Sequence, residues 1–123
     1  MNTFPLRLSI LAAIALLAIS PQPVRAQNQH EMNAQAARDF DTADRSLNQV
    51  YKQLVAKLDK ESQEKLKEAQ KAWVAFRDAQ AEFEKDREAR GGSMAPLIYN
   101  GRRAALTKAR VKELQQLLKE EGR

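Results

Sequence analysis

The chain has 123 residues, with 21 Lys and Arg against 16 Asp and Glu, four Gly, four Pro and no Cys. That is room for one small, charge-rich domain without disulfides, and it excludes multidomain enzymes and cysteine-stapled mini-folds. Ala, Leu, Glu, Lys, Gln and Arg dominate and aromatics supply only 6%, so the expected class is all-α.

Arg7 precedes an apolar run from Leu8 to Ile19, interrupted only by Ser9 and followed by Pro21, Pro23 and Val24-Arg25-Ala26. A basic start, a short apolar stretch and Val and Ala at the third and first positions before a cut describe a secretory signal peptide. Cleavage is expected after Ala26, with residues 27–34 loose at the start of the mature chain. As a helix the apolar run spans about 18 Å, short of the ~30 Å of a bilayer core, which argues against an uncleaved anchor. A lipid anchor would need a Cys at the cut. The mature protein is therefore expected to be periplasmic or secreted, without a membrane anchor. Losing Arg7 and Arg25 lowers the formal charge from +5 to +3, and the remaining excess lies in residues 91–123, which hold seven bases and three acids.

Three amphipathic stripes follow, within an expected helical domain over residues 35–120. Ala36, Phe40, Ala43, Leu47, Val50, Leu54 and Leu58 recur every three or four residues, a helical seam. A second seam reads Leu66, Ala69, Trp73, Phe76, Gln80 and Phe83, running to about Ala89. The third passes through Ala104, Thr107, Val111, Leu114 and Leu118, flanked by Leu106 and Leu117. Gly91 and Gly92 suit a helix C-cap that needs φ > 0, and Pro96 suits the first turn of the next helix. The first break has no Gly or Pro, but one helix from Ala36 to Ala89 would be roughly 80 Å long and largely unpartnered. Asp59 or Ser62 as N-cap allows the second helix to fold back. The expected architecture is an antiparallel three-helix bundle, because none of these faces is stable alone in water.

Read in order, the chain contains A-D-x-x-L-N-x-x-Y from Ala43 to Tyr51, L-K-x-A-Q-x-A-W-x-x-F-R-D from Leu66 to Asp78, then Gly91-Gly92-Ser93 and L-T-x-x-R from Leu106 to Arg110. Over about residues 33–116 this resembles the LprI-type lysozyme-inhibitor domain of small exported bacterial proteins. The resemblance implies an all-helical exported domain that binds a protein partner, lysozyme or another envelope protein. It also implies that relatives often carry two cysteines at positions matching Ala81 and Arg102, where this chain has none to join.

Asp44, Asn48 and Tyr51 flank the first seam, Gln70, Trp73, Arg77 and Asp78 the second, and Thr107 and Arg110 the third. Their place beside the seams reads as an interhelical network in which Asp44 pairs with Arg77 or Arg110 and sets the register, with Gly91 and Gly92 as turn residues. A shared polar recognition surface is the alternative. For contact with a basic, carboxylate-lined lysozyme cleft, the candidates are Glu82, Glu84, Asp86 and Glu88 near the end of the second helix, and the loop tip at Ser93 and Met94. Arg102, Arg103, Lys108, Arg110 and Lys112 turn through several helix faces without interleaved aromatics, so no nucleic-acid partner is expected. His30 is the lone histidine and no Cys exists, leaving neither a catalytic constellation nor a metal or cofactor site to propose. The expected function is binding: occlusion of a lysozyme cleft, or a protein-interaction or envelope-assembly role unrelated to lysozyme.

Overall fold

A computed structural model describes residues 24–123 as three helices, α1 (Val24–Val55), α2 (Lys60–Ala89) and α3 (Ala95–Glu121). Of the expected signal peptide, residues 1–26, residues 1–23 lie outside the described residues. The expected cut after Ala26 falls in the first turn of α1, and residues 27–34, expected to be loose, are helical. Gln29 Nε2 donates to Asn33 Oδ1, and Asn33 Nδ2 donates to the Ser93 carbonyl, so the start of α1 is tied to the α2–α3 turn. No described helix is long and apolar enough to cross a membrane.

The break without Gly or Pro is made by two polar side chains. Asp59 is the N-cap of α2 and accepts from the Ser62 backbone N–H at 2.8 Å, which holds its carboxyl below the usual carboxylate value. Gln63 Nε2 donates to the carbonyls of Val55 and Leu58, satisfying groups that the end of α1 leaves without helical partners. At the second turn Arg90 takes the left-handed conformation that caps α2, and Gly91 follows at φ 76°. Pro96 stands in the first turn of α3, where its missing N–H costs nothing.

α1 and α3 run parallel and pack closely, α2 runs antiparallel against α3, and the backbones of α1 and α2 hardly approach each other. Small buried residues, Ala36, Ala43 and Ala104, line the first contact. At the end of the bundle where α1 finishes, Leu47, Val50, Leu54 and Leu114 form the apolar core, with Tyr51, Leu58, Leu66, Trp73, Val111 and Leu118 around it. The first and third seams lie where their spacing predicts.

The second does so only in part: Leu66 and Trp73 pack against the core, but the other apolar members of that seam turn outward. Phe76 is 54% exposed and Phe83 60% exposed, and Ala69 is exposed as well. The inward side of α2 is instead Leu66, Gln70, Trp73, Arg77, Ala81 and Glu84, a seam rotated by about one residue from the apolar stripe. Arg77 takes the inward place because its long side chain reaches Asp44 of α1 and stacks on Phe40 and Trp73, partners that a phenyl ring could not hydrogen-bond.

Leu114→Ala should therefore cost about 3 kcal/mol in urea unfolding, whereas Phe76→Ala should change stability by no more than about 0.5 kcal/mol. The opposite ranking would restore the apolar seam as the packing face.

Candidate functional site

The polar residues beside the seams meet in the space between the helices. Arg77 is the centre, with a side chain only 5% exposed. Its Nη1 donates to Asp44 of α1 at 3.2 Å and its Nε to Asp78 at 2.8 Å. Asp78 also accepts from Arg103 Nε of α3 at 3.1 Å, so two carboxylates and two guanidiniums join all three helices. Lower in the bundle Arg110 Nε donates to Gln70 at 3.1 Å and Nη1 to Glu113 at 2.9 Å. Of the two partners that the sequence leaves open for Asp44, the structure selects Arg77.

The guanidiniums also stack. Arg110 lies 5.7 Å from the centre of the Trp73 ring, Arg77 5.4 Å from Trp73 and 5.0 Å from Phe40, and Arg103 3.6 Å from Phe40 and 4.9 Å from Tyr99. Lys85 closes the series 5.8 Å from Tyr99. Cation and ring thus alternate from Arg110 to Lys85, each ring facing a positive group that its π-electrons attract. Phe40, Tyr99 and Arg103 escape the sequence reading. Phe40 is legible only as a seam residue, while Arg103 stands among arginines that look like a surface basic cluster.

Part of that cluster is drawn into contacts between the helices. Arg102 Nε sits 3.0 Å from Glu84 Oε2, and Arg103 and Arg110 are committed as described, leaving Lys108 and Lys112 as the exposed members. Thr107 is fully buried and its hydroxyl has no partner among the described residues. Tyr51 is half-buried against the apolar core, whereas Asn48 is exposed and outside the network.

The residues proposed for partner contact divide. Glu84 points inward to Arg102, its side chain 20% exposed, and is withdrawn from the surface. Glu82 accepts from Lys85, which holds that ammonium above its usual value, while Asp86 also lies near Lys85 and Glu88 pairs with Arg87. No uncompensated acidic patch exists there among the described residues. Ser93 and Met94 do form an exposed tip, with Met94 48% exposed. His30 is exposed on α1, and no group of three or more His, Cys, Asp or Glu among the described residues could hold a metal ion.

Burial opposes ionisation of Asp78, but the Arg77 and Arg103 donors outweigh it and hold its carboxyl below the usual value. A folded-state value below the unfolded one gives stability that is complete above the unfolded value of about 4 and lost as pH falls through the folded value. Asp78→Asn should therefore weaken the fold at neutral pH and remove part of the stability loss seen in acid unfolding below about pH 4. Arg77→Lys keeps a charge but loses the planar stack and the fork. It should lower stability by about 1–3 kcal/mol, and Asp44→Ala should lower the melting temperature without altering affinity for any partner that docks at the tip.

With this geometry in view, the relatives are informative. A family model described as "Lysozyme inhibitor LprI" matches residues 20–114. An uncharacterized protein of Rhizobium meliloti (strain 1021) is 38% identical over 128 residues, covering 90% of this chain and 91% of the relative. No solved structure matches the chain. The matched segment includes all of α1 and α2 and every member of the cation–aromatic series, and the chain belongs to the LprI lysozyme inhibitor family.

Proposed function

We propose that the protein is an exported lysozyme-inhibitor-type binding protein that occludes a glycan cleft with the end of the bundle where α2 turns into α3. The observation that carries this reading is the LprI family match over residues 20–114. Its location on the bundle is supported by shape. The turn from Gly91 to Met94 is exposed along its length, and Met94 projects a flexible apolar side chain that adapts to an irregular concave wall. The turn is also braced: Ala95 N–H donates to the Gly92 carbonyl, and Asn33 donates to that of Ser93, so little ordering is required on binding.

Charge plays the smaller part. Glu82, Asp86 and Glu88 are exposed around the tip, but Lys85 and Arg87 neutralise them locally. Attraction to a basic enzyme is then short-range, and shape and apolar contact supply the affinity. The role needs no catalytic group from this chain, since a bound plug excludes substrate by occupying the cleft.

Purified protein added in micromolar excess to a turbidity assay of bacterial cell walls should slow lysis by at least one lysozyme class. Met94→Asp should weaken that inhibition at least tenfold, equivalent to about 1.4 kcal/mol, with the melting temperature unchanged. Absence of inhibition across several lysozyme classes would reject the reading, and full inhibition by the Met94 variant would move the contact elsewhere.

A further inference from the structure

The outward face of α2 carries a second stripe that the fold does not use. Ala69, Ala72, Phe76, Ala79 and Phe83 are all exposed, and their spacing of three, four, three and four residues is that of a coiled-coil seam. The two rings are more than half exposed. We propose that this face pairs with the same face of a second copy, the two α2 helices antiparallel about a twofold axis between Arg77 and Asp78.

The size pattern selects this occupant and this direction. In an antiparallel pair each layer joins the first apolar position of one heptad to the second of its mate. Here that sets Phe76 against Ala79 of the second copy and Phe83 against its Ala72, and the reciprocal contacts repeat these. Four consecutive layers then hold one phenyl ring and one methyl group, a uniform volume that packs without gaps or overlap. A parallel pair would instead stack ring on ring and methyl on methyl. The flanks are compatible, since Glu82 falls beside Ala75 and Trp73 beside Gln80, so no like charges oppose each other along the seam. The contact ends where Lys65 would meet Arg90, which confines it to residues 69–86.

The exposed parts of these five side chains amount to roughly 400 Å² per copy, about half of the ~800 Å² per partner in a standard interface. The dimer is accordingly weak, reversible and concentration-dependent. The seam does not include the Gly91–Met94 turn, and only Glu82 and Asp86 border both surfaces, so the pairing does not rest on lysozyme binding.

Sedimentation of the purified protein from low micromolar to millimolar concentration should show the average mass rising toward twice the monomer. Phe76→Glu and Phe83→Glu together should hold it at the monomer value with an unchanged helical spectrum and melting temperature. Direction is read separately. The chain lacks Cys, so a nitroxide on Glu64→Cys is unique. Position 64 lies about 20 Å along the helix from the proposed axis, which gives a label separation of about 40 Å in the antiparallel pair and under about 20 Å in a parallel one. A monomer at every concentration, a dimer that survives the paired Phe substitutions, or the short label distance would each overturn the proposal.

Discussion

The guanidinium of Arg77 sits between the Phe40 and Trp73 rings and reaches Asp44 on one helix while holding Asp78 on its own. This arrangement decides how α2 lies. α1 and α3 are held by close packing of small residues, whereas the backbones of α1 and α2 hardly approach and the two helices meet through long side chains. The long, planar, permanently charged side chain of Arg77, stacked on rings, makes the α1–α2 contact around Asp44. Arg103 repeats the device from α3, and their shared acceptor Asp78 makes the angular setting of α2 a property of all three helices.

The energetics follow from this choice. A fully apolar interface would tolerate sliding, whereas an Arg–carboxylate pair flanked by rings has a narrow geometric optimum. The bundle thus has an aliphatic end, around Leu47, Leu54 and Leu114, that supplies most of the hydrophobic stabilisation, and a cation–aromatic end that specifies alignment. Arg102 and Glu84 link α2 to α3 near Ala81, so an ion pair joins two helices in a chain that has no Cys to cross-link them.

Function is confined to what the scaffold leaves outside. Turning Arg77 inward turns Phe76 and Phe83 outward, since adjacent residues on a helix point about 100° apart. Drawing Arg103 and Arg110 in between the helices and pairing Arg102 with Glu84 reduces the basic surface suggested by the composition of the last third. The braced tip at Met94 and the apolar stripe on α2 stay outside this network, as do the exposed Met32 and Leu117.

The three helices, their number and the α-class were legible in the residues, because the seams of α1 and α3 are continuous, because Gly91 and Pro96 mark the second break by local chemistry, and because an unbroken helix through residue 59 would be too long to find a partner. The Asp44–Arg77 partnership was also within reach, as both residues flank a seam. The inward face of α2 was not. Leu66 and Trp73 of the apolar stripe do pack inward, but farther along the helix Arg77 and Ala81 are buried where hydrophobicity favours Phe76 and Phe83. Local sequence determines where a helix forms and which residues share a face. Which face turns inward depends on the partners that the other helices present, here Asp44 and Phe40 of α1 and Arg103 of α3, and only the assembled bundle brings those together.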